Sequence, residues 1–171
     1  MALSNIGNQK SAATECTAAA IHQILDYVAT YPNDGIIYRA SDMILCAHSH
    51  AAYINEFKAC SRSGSFIFLS EDDPIPRLNG PVLTIAHIIK FVMSSAADAE
   101  LTGIFITSNN MIPLRQTLIE MEWPQPKSLI QTDNSTAVGV TNRAVVAKNI
   151  KYMDMRLWWL ICRESQGKFI F

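Results

Sequence analysis

The sequence predicts an α/β domain: a mixed sheet of three antiparallel strands, then parallel strands, flanked by helices. Three observations carry this. The first half holds three apolar, β-branched segments parted by turn-forming residues. The period then changes to a helical one near Ser95. A short strand, Leu129–Thr132, follows the helices and ends on Asp133, where open α/β sheets place their ligands.

Taken in order, Thr14–Thr30 reads as a helix, because Ile21, Ile24, Leu25 and Val28 recur at helical spacing and Ala18–Ala20 favour that state. Pro32 and Asn33-Asp34-Gly35 stop it. Ile36–Arg39 and Met43–Tyr53 read as extended, the second apolar enough at its start to be central in a sheet. Asn55–Ser63 is polar and basic, a turn. Ser65–Ser70 is a strand, closed by an acidic, proline-containing loop through Pro81, and Val82–Val92 is the third strand.

Ser95 is placed to cap the next helix, with Asp98 three residues on in the manner of a capping box. Leu101, Ile104 and Phe105 supply its buried stripe. Pro113 either opens a second helix through Glu122 or kinks a single long one. Trp123-Pro124-Gln125-Pro126 ends the helical region. After Leu129–Thr132 come a short helix over Ser135–Asn142 and a longer one over Asp154–Gln166, ended by Gly167. Phe169–Phe171 is extended. A crossover through the Ser95–Glu122 helices makes the Leu129–Thr132 strand parallel to a neighbour.

Composition bounds the function. With 171 residues, of which 49% are hydrophobic, the chain can bury a sizeable core and is not disordered. Its longest apolar run, Val82–Val92, is interrupted by Thr84, His87 and Lys90, so no membrane span is expected. The start MALSNIGNQK lacks a secretory pattern. Cys16, Cys46, Cys60 and Cys162 form no close pair, which suits reduced thiols in an intracellular protein of the cytoplasm or nucleus. The net charge of −1 argues against strong nonspecific binding to nucleic acid. From Thr141 onward, however, six basic residues (Arg143, Lys148, Lys151, Arg156, Arg163, Lys168) face only Asp154 and Glu164. That excess suits either phosphates or a solvated helix face.

Several residues invite a chemical role beside a plainer one. Glu100 alone is a helix-surface acid, and Asp133 alone a cap or Asx-turn beside Asn134 and Ser135. His48 and His50 share one strand face and invite zinc or manganese, but two ligands make a weak site. Trp158-Trp159 could stack bases; beside Leu157 and Leu160 on an amphipathic helix they read better as core.

Two stretches change these weights. Ser94–Gly103 (SSAADAELTG) and Gln131–Val140 (QTDNSTAVGV) resemble the paired motifs of the ribonuclease H domain in copia-type retrotransposon Pol polyproteins, within the reverse transcriptase/ribonuclease H region. Arg39–Met43 (RASDM), Cys60–Gly64 (CSRSG), Lys151–Leu157 (KYMDMRL) and Gln166-Gly167 continue the resemblance, which runs in the family's order from about Thr14 to Phe171. It implies a ribonuclease H-like mixed sheet over residues 41–171, incomplete at the C-terminus, preceded by a connection-like helical segment at residues 1–40. No polymerase motif is present, so the chain is not itself a reverse transcriptase.

The resemblance also implies a chemistry. Family members hydrolyse the RNA strand of RNA–DNA hybrids with two Mg²⁺ ions, or Mn²⁺, held by four carboxylates. Glu100 matches the helix glutamate and Asp133 the aspartate after the fourth strand. The first-strand aspartate falls in a segment that reads Ser49-His50-Ala51-Ala52-Tyr53 here, so His50 stands in its place. The last acid follows the final strand and is absent from this sequence, and Asp154 matches a different motif. Ser61, Arg62 and Ser63 read either as a former contact with the hybrid backbone or as a plain polar turn.

The defect has a size. At an effective dielectric near 20, a carboxylate about 4 Å from a dication contributes on the order of 8 kcal/mol before desolvation. If ~3–4 kcal/mol survive that offset, one loss slows hydrolysis about 10²–10³-fold. The resemblance therefore implies an inactive or impaired domain, whose partners are RNA–DNA hybrid and the rest of a retroelement polyprotein. Two alternatives stand beside it: an active ribonuclease H completed by a partner or downstream sequence, and a domesticated, non-catalytic module that binds nucleic acid or protein.

Overall fold

In the computed structural model the described residues are 2–56, 59–90, 92–134, 139 and 154–171. The chain divides into two compact units, residues 1–37 and 38–171.

The first unit holds α1 (Ala2–Asn8) and α2 (Glu15–Thr30). Thr14 caps α2 reciprocally with Thr17, whose hydroxyl also donates to Gln9 Oε1 at 2.7 Å. These bonds occupy donors that a helix start leaves open. The apolar stripe of α2 stays exposed at Ile21, Leu25 and Val28. Ile36–Arg39 joins no sheet.

The second unit is built on five strands: β1 (Ile44–Glu56), β2 (Cys60–Ser70), β3 (Pro81–Ile89), β4 (Ser128–Gln131) and β5 (Phe169–Ile170). Their spatial order is β3-β2-β1-β4-β5. β1 and β3 each pair antiparallel with β2; β4 pairs parallel with β1 on one side and with β5 on the other. The expected mixed sheet with flanking helices is what the chain forms. Pro81 fits because β3 is an edge strand, where a missing N–H costs no ladder bond.

One boundary is corrected. Cys60–Ser63 is not a turn: the β1–β2 hairpin closes between Glu56 and Cys60, Arg62 and Ser63 pair with both neighbouring strands, and Ser61 pairs with β3. Their polarity gave the turn reading, yet all three are buried in the middle strand of the antiparallel half.

α3 (Ala96–Glu120) is a single helix that contains Pro113. The proline deprives the Asn109 carbonyl of its i+4 donor, and Asn109 lies on the exposed face where water can replace it. Ser95 Oγ caps α3 by accepting the Asp98 N–H at 3.1 Å. The Asp98 carboxylate reaches one residue further back than a capping box does, accepting the Ser94 N–H at 3.0 Å.

Odd-numbered residues of β1 from Leu45 to Tyr53 face α3. Leu45 and Ala47 join Ile67, Ile130, Phe169, Met111 and Leu118 in the main core. Gly103 lets α3 approach closely: a Cβ there would lie 3.3 Å from Ser49 Oγ and 3.4 Å from the Ala51 Cβ. On the other face, Ile44, Cys46 and Phe68 make a smaller cluster with Phe66 and Leu129.

α4 (Asp154–Ser165) packs Leu157, Leu160 and Ile161 on Leu101 and Ile104 of α3. The core reading of Trp158-Trp159 holds for one residue of the two. Trp159 meets Phe105 edge-on, with centroids 5.2 Å apart, whereas Trp158 is 63% exposed because successive helix residues diverge by about 100°.

Residues 135–138 and 140–142 of the expected short helix lie outside the described residues, as do Arg143, Lys148, Lys151 and the Asp154 side chain. No helix among the described residues is long and apolar enough to cross a membrane.

Candidate metal centre

Three segments far apart in sequence meet beside the middle of β1. His50 is the central residue of that strand. Glu100 sits at the start of α3, and Asp133 lies just beyond β4. The parallel β1–β4 pairing, with His48 opposite Gln131, brings His50 and Asp133 alongside each other.

His50 Nδ1 is 3.2 Å from Glu100 Oε1 and 3.2 Å from Asp133 Oδ2. The three donor atoms lie within 4.8 Å of one another. Glu100 is fixed from two sides: Oε1 accepts the Ala51 backbone N–H at 2.9 Å, and Oε2 accepts the Thr132 hydroxyl at 3.4 Å. His50 and Asp133 are open to solvent while Glu100 is buried.

Burial pushes the Glu100 carboxyl above the usual carboxylate range. The Ala51 N–H, the His50 imidazole and the Thr132 hydroxyl work against that shift, and the Asp133 charge reinforces it. A carboxylate so desolvated gains from any cation that reaches it.

The other expected residues fall elsewhere. His48 shares the face of His50 but stacks on Phe68, with centroids 5.4 Å apart; it is outside the three-donor group, and burial lowers its basicity. The His48/His50 zinc pair is therefore replaced by His50 with two acids. Ser61, Arg62 and Ser63 are 2%, 1% and 0% exposed. Ser61 Oγ accepts the Ile54 N–H, and Arg62 Nε donates to Glu56 at 2.6 Å, so as placed these two side chains hold the hairpin.

The sequence reading missed the bonds that orient Glu100. Thr132 stands next to Asp133 in the quoted motif, but nothing in it signals that its hydroxyl reaches an acid 32 residues away. Ala51 contributes through its backbone and so leaves no mark in the sequence.

Neither protein-family profiles nor curated proteins give a match to the sequence. Solved structures do. The N-terminal RNase H domain of a Mycobacterium tuberculosis protein, solved as a fusion with maltose-binding protein, superposes with a TM-score of 0.53 at 10% identity, over 75% of this chain and 78% of that one. LC11-RNase H1, isolated from compost by a metagenomic approach, gives 0.54 at 8% identity over 75% and 83%. The same enzyme in complex with an RNA/DNA hybrid gives 0.55 at 8% identity over 74% and 82%.

Proposed function

We propose that this ribonuclease H-like fold is a copia-type retroelement domain whose ancestral activity, two-metal hydrolysis of the RNA strand of RNA–DNA hybrids, is impaired. The observation that carries the reading is the convergence of Glu100 and Asp133 on His50 Nδ1 at 3.2 Å each. Those are the two acids that the motifs SSAADAELTG and QTDNSTAVGV single out, and the one replaced position, which the segment Ser49-His50-Ala51-Ala52-Tyr53 carries.

The residues present do not fit a pair of magnesium ions. Two Mg²⁺ about 4 Å apart need several hard, anionic oxygens. Among the described residues this group offers two carboxylates, and an imidazole nitrogen stands between them. His50 brings no negative charge to offset a second dication. What the chain's own residues do here is hold a buried carboxylate rigidly, expose a second, and leave a solvent-facing side where a phosphate backbone could lie.

The test is cleavage of an RNA–DNA hybrid in Mg²⁺ by the wild-type chain, His50→Asp and Glu100→Ala. Wild-type turnover is expected at or near background, with His50→Asp raising it about 10²-fold or more as an acid returns to the first position. Wild-type turnover that Glu100→Ala abolishes would sink the reading.

A further inference from the structure

The misfit with magnesium has a direction. Imidazole is a borderline donor that suits zinc and the other later divalent metals, whereas magnesium holds to oxygen. Zinc binds both imidazole nitrogen and carboxylate oxygen, and three protein ligands with solvent in the remaining position is the count of a catalytic zinc site.

The spacing agrees. For bonds of about 2.0–2.2 Å and angles between ~90° and ~109°, donors around one ion lie roughly 2.8–3.6 Å apart. His50 Nδ1 is 3.2 Å from Glu100 Oε1 and 3.2 Å from Asp133 Oδ2. The set is also oriented from outside: the Ala51 N–H and the Thr132 hydroxyl fix the Glu100 carboxylate, the kind of support that metal ligands commonly carry. The exposed edges of His50 and Asp133 leave room for water.

We propose that His50 Nδ1, Glu100 Oε1 and Asp133 Oδ2 form a site for one borderline transition cation, Zn²⁺ in the first instance, in preference to Mg²⁺. The inference rests on the reading of Glu100 and Asp133 as metal-site residues and departs from it in the number and kind of ions. A single histidine at position 50 then does more than delete an acid: it changes which metal the site selects.

Calorimetric titration of the full chain with Zn²⁺ and, separately, Mg²⁺ tests this, with Co²⁺ absorption as a second readout of nitrogen ligation. The expected result is one Zn²⁺ per chain, bound at least 100-fold more tightly than Mg²⁺. His50→Ala should weaken Zn²⁺ at least tenfold and remove the Co²⁺ bands, while His50→Asp should narrow the Zn²⁺/Mg²⁺ gap. Asp133→Asn, at an exposed position, provides an independent variant and should also weaken Zn²⁺. Equal affinities, two ions per chain, or Zn²⁺ binding indifferent to both His50→Ala and Asp133→Asn would overturn the proposal. Absence of metal binding would overturn it too, yet leave the impaired-nuclease reading standing. Brisk Mg²⁺-dependent hybrid cleavage would overturn that reading and not the zinc preference.

Discussion

Glu100 accepts the backbone N–H of Ala51 at 2.9 Å, so a carboxylate from the start of α3 is bonded to the strand residue that follows His50. Helix and strand are joined at the very point where the candidate ligands gather. Removing the carboxylate leaves a buried N–H without its acceptor, which costs about 1–3 kcal/mol. Urea denaturation should therefore show Glu100→Ala less stable by that amount. Glu100→Gln keeps an acceptor in place and should lose less than half as much. Equal losses for the two variants would mean that the Ala51 bond contributes nothing.

Gly103 sets how closely α3 lies on β1. Alanine gains about 1 kcal/mol of helix propensity over glycine. Its Cβ, however, would meet Ser49 Oγ at 3.3 Å, and that hydroxyl is held by Thr107 Oγ1 at 3.1 Å. The two effects nearly cancel, so Gly103→Ala should fall within about 1 kcal/mol of wild type. Gly103→Leu has no space and should cost about 3 kcal/mol or more as the helix lifts. Thermal midpoints of the two variants check both values.

Arg62 is 1% exposed and donates through Nε to the Glu56 carboxylate at 2.6 Å. Taking away one member of a buried ion pair costs up to about 3–5 kcal/mol. Glu56 is partly exposed, which moves the expected loss for Glu56→Gln toward the lower end. Replacing both members by apolar residues, Glu56→Leu with Arg62→Met, should recover most of it. A double variant as unstable as the single one would show that Arg62 matters through its other contacts.

Burial pushes the Cys46 thiol up, with the Asp72 charge adding to the shift and a backbone hydrogen bond at Leu129 opposing it. The native state thus keeps a proton that the unfolded chain releases above about pH 8.5. Since the native state binds more protons in that range, stability should fall as pH rises beyond it. Cys46→Ala should flatten the alkaline limb of the stability profile. In native protein iodoacetamide should modify the exposed Cys16 and Cys162 first, and Cys46 only on unfolding. Early alkylation of Cys46 would contradict its burial.

Much of the sheet was legible because each strand carries its own pattern. The apolar start of Met43–Tyr53 marked a central strand, and β1 is indeed flanked on both sides. The Ser95 cap was legible because capping chemistry is local. Pro113 was not decidable, since whether a proline ends a helix depends on whether water can reach the released carbonyl. Ser61 and Arg62 misled because they are buried with partners on other segments, Ile54 and Glu56. At the site, the motifs marked Glu100, Asp133 and position 50. The bonds from Ala51 and Thr132 depend on the packing of α3 against β1 and β4, which no local pattern records.

The parallel pairing of β1 with β4 has a consequence for how the molecule assembles. The hairpins β1–β2 and β2–β3 join neighbours in sequence and can form early. β4 finds β1 only after all of α3 has been laid down between them. The His50 imidazole and the Asp133 carboxylate come from chain positions 83 apart, so their meeting is a late event. An ion that needs both would grip only a finished molecule, and its binding would report the last long-range closure rather than the first collapse.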